Sequence, residues 1–396
     1  MVSHISASYV YTIAGPPIQN GVVGLDAEGT IIEVLTPAEA EELGIADVKH
    51  YDGLIVPGFV NTHCHLELSN LKGAIAKHTG LPAFVQQVMD LRAGEEFTDE
   101  YMLDSAMLRA DKEMFECGIV AVGDIANQSA SRMTKRGSLI HYHTFVEAIG
   151  FNPETVQLAL QRAVALKKEF EPLPASIVPH APYSVSAGLF EELKKIAEEE
   201  NSIVSIHNQE TPHENAFFEE KEGEFLELYY MLALDIEFFQ PSGKTSLQTY
   251  LSMLSGLQPT LLVHNTFTSA EDVAYAIGLH KNLYWCLCPN ANLYIENTLP
   301  NVPMLRDAGA SITLGTDSLA SNDRLSIFAE MMTLQDRFDI SADELLKWAT
   351  WNGAEFMGLG NRLGTLQPGK RPGINLLGFS ELNGKIKLEE FSRRLY

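Results

Sequence analysis

The chain has 396 residues, 45% of them hydrophobic, and a formal net charge of −24. That length suits one large domain with an accessory one, and the hydrophobic share supplies a sizeable core. The negative charge disfavours phosphate backbones and anionic membranes, no apolar run approaches the ~20 residues of a membrane span, and the N-terminus lacks a signal-peptide profile. A cytoplasmic protein that binds neither nucleic acid nor membrane is expected; a homo-oligomer is compatible with the sequence.

From Tyr9 to Val34 the chain shows short β-like pieces, with turns at Gly15-Pro16-Pro17 and Ala27-Glu28-Gly29. Val22 to Leu25 and Thr30 to Val34 read as a hairpin around the second turn. An apolar, β-branched run from Leu54 to Val60 then reads as a buried strand that delivers His63 and His65 at its far end. Side chains two apart on a strand share a face, so both imidazoles can reach one ion. A divalent transition metal suits such a pair. Taken alone, the pair also fits a half-buried strand end with two hydrogen-bonded histidines.

Strand-like and helix-like runs alternate from there. Strands are expected at Val56 to His65, Gly118 to Asp124, Leu139 to Glu147, Ser176 to His180, Ile203 to His207, Thr260 to His264, Leu283 to Cys288 and Ser311 to Asp317. Between them lie amphipathic segments such as Asp99 to Glu116, Glu154 to Phe170, Ala187 to Glu200 and Ala270 to His280. Eight such strands over about 250 to 300 residues predict an α/β fold, a (β/α)₈ TIM barrel. A doubly wound open sheet competes, but no Gly-x-Gly-x-x-Gly follows an early strand.

Barrels carry their reactive groups at the C-terminal ends of the strands. The first expected strand ends in His63 and His65, the fourth in His180, the fifth in His207, the sixth in His264 and the eighth in Asp317. Core packing explains that coincidence poorly, and a metal site is expected. From Leu363 the chain returns to β-like and turn residues, with Ile374 to Phe379 the clearest run. The tail is expected to join the N-terminal hairpin in a small β-sandwich beside the barrel. The parts would be residues 1–55 (N-terminal part of the sandwich), 56–360 (barrel) and 361–396 (C-terminal part and tail), with Lys385 to Tyr396 charged and peripheral.

Other features read as structural. His141 and His143 precede Phe145 and Glu147 and so lie below the barrel mouth. Cys286 and Cys288 lack a second pair at zinc spacing and read as buried strand residues. Gly243-Lys244-Thr245 lacks the first glycine of a phosphate loop and reads as a loop and helix start, or as a lip of the substrate pocket.

Pro57-Gly58-Phe59-Val60-Asn61 before His63-Cys64-His65, Pro179-His180-Ala181-Pro182-Tyr183-Ser184, His207-Asn208-Gln209-Glu210, His264-Asn265-Thr266 and Gly315-Thr316-Asp317-Ser318 together resemble the amidohydrolase superfamily, in its purine and nucleoside deaminase branch. Within it, His65-Leu66-Glu67-Leu68-Ser69, Gly243 to Gln248 and Gly315 to Asn322 look most like the aminodeoxyfutalosine deaminases of the futalosine route to menaquinone. The resemblance implies hydrolytic deamination of an aminated purine nucleoside, 6-amino-6-deoxyfutalosine first. S-adenosylhomocysteine, methylthioadenosine, adenosine and guanine are the alternatives, and amide or chloride hydrolysis is the alternative of another class.

It further implies that His63, His65, His207 and Asp317 hold one divalent ion, zinc or iron, with water in the open position. Two-metal relatives use a carboxylated lysine where this chain has His180, so a single ion is expected. Glu210 would shuttle the proton, His264 would orient the attacking hydroxide, and Asp317 would pass a proton to the departing ammonia. His180, Glu67 and Ser318 would bind substrate, Glu67 by accepting from sugar hydroxyls or else by supporting from behind the residues that touch it. Lys72 is the cation considered for a substrate carboxylate.

Overall fold

The structure is a computed structural model that describes residues 2–94 and 99–396. Its first strands are β1 (Ser3–Val10), β2 (Ile18–Gln19), β3 (Val22–Leu25), β4 (Ile31–Leu35) and β5 (Val48–Pro57). Eight more follow: β6 (Phe59–Cys64), β7 (Ile119–Ala126), β8 (His141–Ala148), β9 (Ala175–Pro179), β10 (Val204–Asn208), β11 (Thr260–His264), β12 (Leu283–Leu287) and β13 (Ser311–Leu314). The chain closes with β14 (Ile374–Leu382) and β15 (Lys385–Arg394).

The middle strands are almost wholly buried because both faces are covered, which is why they read as unbroken apolar runs. They form two parallel sheets, β6-β7-β8-β9 and β10-β11-β12-β13. Hydrogen bonds link the two sheets at both edges. The His207 amide donates to the His180 carbonyl at 3.0 Å beyond β9, and the amides of Thr316 and Asp317 donate to the His63 carbonyl at 3.0 and 3.1 Å beyond β13. Ile125, Phe145, Val178, Leu261, Val263 and Cys286 pack into one apolar cluster drawn from both sheets.

Helices between the strands bury one stripe each. In Ala187–Glu200 the buried residues are Leu189, Phe190, Leu193 and Ala197, a spacing that keeps them on one face. Its start is fixed by Ser186, whose hydroxyl accepts from the Leu189 amide, and Asp99 and Ser269 cap two others in the same way. Among the described residues no helix is long and apolar enough to cross a membrane.

Several expectations need correction. The strand foreseen from Val56 to His65 is divided at Gly58, with β5 in the terminal sheet and β6 in the parallel one. A Cβ at Gly58 would come within 2.3 Å of Val120 Cγ1 and 2.6 Å of the Pro372 carbonyl, so only glycine lets the chain cross between layers there. The terminal segments form one seven-stranded sheet, β15-β14-β5-β1-β3-β4 with β2 added to β1, where a sandwich was expected. Lys385 to Tyr396 is charged and lies at the sheet's edge, yet it is built in: β15 pairs with β14, and Leu388, 1% exposed, packs inward between charged neighbours. The last parallel strand stops at Leu314, short of Asp317.

Other readings hold. The hairpin of β3 and β4 forms around Asp26 to Thr30. His143 hydrogen-bonds Ser176 at 2.9 Å within the strands, Cys286 and Cys288 are buried and free, and Thr245 caps the helix Ser246–Tyr250.

Candidate metal and substrate site

Where β6 ends, His63 and His65 project from alternate residues, and their Nε2 atoms lie 3.1 Å apart. From the end of β10, His207 brings its Nε2 to 3.4 Å from that of His65. Asp317 arrives from the loop after β13 in a left-handed conformation (φ 56°), held by its amide's bond to the His63 carbonyl. Its Oδ1 stands 3.6 Å from His63 Nε2 and 3.4 Å from His65 Nε2. Thus the four residues named as ligands converge.

The protonation pattern suits a cation. His207 Nδ1 is 2.7 Å from the His180 carbonyl, which only accepts, so Nδ1 carries the hydrogen and Nε2 presents a lone pair to the cluster. Burial depresses the pKa of His207 to about 4 and that of His65 well below its usual value, keeping both neutral. Burial acts on His63 in the same sense, but the hydrogen bond and charge of Asp317 outweigh it and raise His63. Burial would likewise raise Asp317, but His63, His65 and His264 hold it well below the carboxylate range. A carboxylate that stays ionised so far down the pH scale can also neutralise part of a divalent charge. Three imidazole nitrogens and a carboxylate oxygen fit zinc or a similar transition ion.

Glu210 and His264 stand beside the cluster, 3.5 Å apart between Oε1 and Nε2. Asn292 Nδ2 faces His264 Nδ1 at 3.2 Å, so Nδ1 accepts and Nε2 keeps its hydrogen towards Glu210. Burial, then the charges of Asp317, Glu296 and Glu214, raise Glu210 well above the usual carboxylate value. A buried carboxyl that holds its proton can donate it.

These groups open into a cavity of about 870 Å³ lined by His65, His180, His207, Glu210, His264, Asp317 and Ser318. Its far wall is apolar, with Leu81, Phe84, Val85 and Val88 from the helix Leu81–Ala93, and Leu228 and Tyr229 from Phe225–Met231. Phe151 stacks on Tyr229 at 5.4 Å between centroids. His180 turns its Nδ1 to Ser184 Oγ at 2.7 Å, and burial lowers its pKa to about 4. Ser318 Oγ meets Ser321 Oγ at 3.0 Å, and Ser321 donates to Asp317 Oδ2 at 2.5 Å.

Of the two positions expected for Glu67, the structure has the one behind the cavity wall. Glu67 does not line the cavity; its side chain is 1% exposed, sits 3.0 Å from Arg92 Nη2, and accepts from the amides of Asn127 and Gln128. Lys72 is exposed and also lies outside the lining. Sequence reasoning missed Arg92, which does line the cavity, and Glu147, whose Oε1 is 3.4 Å from His207 Nδ1. Glu147 sits near the end of β8, so the strand-end rule could have found it. Arg92 sits on an amphipathic helix, where a charged residue carries no such signal.

The sequence profile described as the Amidohydrolase family matches residues 54–392. An adenosine deaminase from Helicobacter pylori is 27% identical over 337 residues, 83% of this chain and 80% of that protein. A 5-methylthioadenosine/S-adenosylhomocysteine deaminase from Teredinibacter turnerae is 29% identical over 348 residues, 83% of this chain and 73% of that one. The solved Helicobacter pylori aminofutalosine deaminase, in complex with methylthio-coformycin, superposes with a TM-score of 0.80 at 22% identity, covering 100% of both chains.

Proposed function

The chain belongs to the amidohydrolase family, and from that premise we infer that it is a hydrolase that removes ammonia from the purine of an adenosine-like nucleoside. The observation that carries the reading is the convergence of His63, His65, His207 and Asp317 beside Glu210 and His264, at the mouth of an apolar cavity. We take the eight parallel strands as one closed barrel, since both edges of the two sheets are hydrogen-bonded to each other. On that view residues 1–55, 56–360 and 361–396 are the parts of the chain.

His63, His65 and His207 through Nε2, and Asp317 through Oδ1, would hold one divalent ion, zinc or iron. Such an ion supplies Lewis acidity, lowering the pKa of water beside it from 15.7 to about 7. Glu210 holds a proton for a ring nitrogen, which makes the amine-bearing carbon electrophilic, and recovers one from the attacking water. His264 points its Nε2 hydrogen at the charge that develops on that carbon's new oxygen. Asp317 would take the second proton of the attacking water from the hydroxyl now on that carbon and pass it to the amine, which leaves as ammonia, while Ser321 steadies its other oxygen. His180 and Ser318 offer polar atoms to the nucleoside from the cavity wall.

The preferred substrate on this reading is 6-amino-6-deoxyfutalosine, which would place the enzyme in the futalosine route to menaquinone. The apolar far wall supports a nucleoside with a bulky arm. The test is ultraviolet absorbance of the metal-loaded protein with aminodeoxyfutalosine, S-adenosylhomocysteine, methylthioadenosine, adenosine and guanine in turn, with ammonia assayed in parallel. A fast adenine-to-hypoxanthine change with aminodeoxyfutalosine alone is expected. Preference for another nucleoside would keep the chemistry and move the pathway. No ammonia from any would sink the deaminase reading and bring forward amide or chloride hydrolysis.

A further inference from the structure

Among the described residues lining the cavity, Arg92 is the one lysine or arginine. It lies on the apolar helix Leu81–Ala93, among Phe84, Val85 and Val88, with its side chain 30% exposed. Two contacts aim the guanidinium: Nη2 is 3.0 Å from Glu67 Oε1, and Nη1 is 3.5 Å from Asn127 Oδ1. Glu67 also accepts from the Asn127 and Gln128 amides, so its charge is shared among several donors. A guanidinium has five N–H groups in a rigid plane, and these two contacts leave donors for a third partner.

We propose that Arg92 selects the substrate's distal arm, by pairing with a carboxylate at the end of an otherwise apolar substituent on the nucleoside's 5′ carbon. The inference rests on the deaminase reading above. An anionic group entering this apolar-walled space needs a cation, because burying a carboxylate unpaired is costly. The carboxylates that line the cavity are Glu147, Glu210 and Asp317, each within 3.6 Å of one of the site's histidines. None therefore waits at the far wall for an ammonium group. The arm that fits is a monoanion on an apolar or aromatic body, in preference to the zwitterion of an amino acid.

The test compares metal-loaded wild type on 6-amino-6-deoxyfutalosine and on its methyl ester, which differ in the charge and by one methyl group. The acid is expected to exceed the ester in kcat/KM by roughly 10- to 100-fold, the range of a charge-assisted hydrogen bond, with the difference in KM. In Arg92→Gln that ratio collapses towards one. Removing Arg92 leaves Glu67 buried without its cation, so the double variant Arg92→Gln/Glu67→Gln is measured alongside, with the same collapse expected. Equal kcat/KM for acid and ester in the wild type overturns the assignment even where every variant misfolds. An unchanged ratio in a folded variant overturns it too, and gives Arg92 a ribose or structural role. Those results leave the deaminase reading standing; ammonia from no nucleoside at all removes both.

Discussion

On the proposed reading the chemistry turns on Glu210, which is 4% exposed, raised in pKa by burial, and adjacent to both His264 and the candidate ligands. Glu210→Gln is expected to lower kcat by roughly 10² to 10⁴ while the metal content stays the same, since Glu210 is not among the four ligands. Retained activity with metal bound would remove it as the proton carrier. Glu330 supports a different expectation. Its Oε1 accepts from Asn322, which also holds the Thr316 carbonyl, and its Oε2 accepts from the Asn290 amide. Burial raises its pKa from 4.5 to about 8. A folded value above the unfolded one means that this stability is complete below about pH 4.5 and is lost as pH rises towards about 8. Glu330→Gln loses an acceptor for the Asn290 amide, so it should melt lower than the parent at pH 5 yet show a flatter melting midpoint from pH 5 to 8.5. Parallel pH profiles would clear Glu330 of the effect. The candidate ligands were legible in the sequence because strand ends are where such folds place them, and five histidines and an aspartate were expected there. Arg92 was illegible because its meaning comes from Glu67 and Asn127, which approach it from elsewhere in the chain.

The parallel strands were legible as elements because burial on both faces leaves an apolar run with turns on either side. Their ends were less so. β13 stops at Leu314 because Gly315, Thr316 and Asp317 turn from β12 towards the end of β6, where Asp317 bridges to Cys64, and nothing local marks that turn. Gly315 makes the turn fit: a Cβ there would meet Cys286 Sγ at 2.8 Å, His63 Cβ at 2.8 Å and Cys288 Sγ at 3.0 Å. Gly315→Ala should therefore push His63 and Asp317 apart. Overpacking of this kind costs about 1 to 3 kcal/mol, and metal analysis of the purified variant should find well under one ion per chain. Full occupancy with an unchanged melting point would show that the two strands yield without cost. The division at Gly58 escaped the sequence for a related reason. Apolar residues stand on both sides of it, so hydrophobicity continues where the backbone changes sheet.

Across the whole molecule the candidate ligands come from both parallel sheets: His63 and His65 at the end of β6, His207 at the end of β10 and Asp317 after β13. On the proposed reading an ion at that point would tie the sheets together at the mouth of the cavity. Chelation should lower the melting midpoint, by an amount equivalent to about 4 kcal/mol when free metal stood at a thousandfold excess over Kd. Restoring zinc or iron should restore it, and a midpoint indifferent to chelator would mean the ion carries no structural share. The pairing of β14 with β5 has a consequence in time. β5 runs through Gly58 into β6, the strand that bears the first two ligands, yet its antiparallel neighbour lies roughly 300 residues further along the chain. At translation rates of about 5 to 20 residues per second, that neighbour follows on the order of tens of seconds later. During this interval the edge of β5 is open, and β6 also lacks its neighbour β13. The nascent chain thus exposes apolar strand edges long before it can finish its site, and on the proposed reading metal capture would be one of the last events of its synthesis.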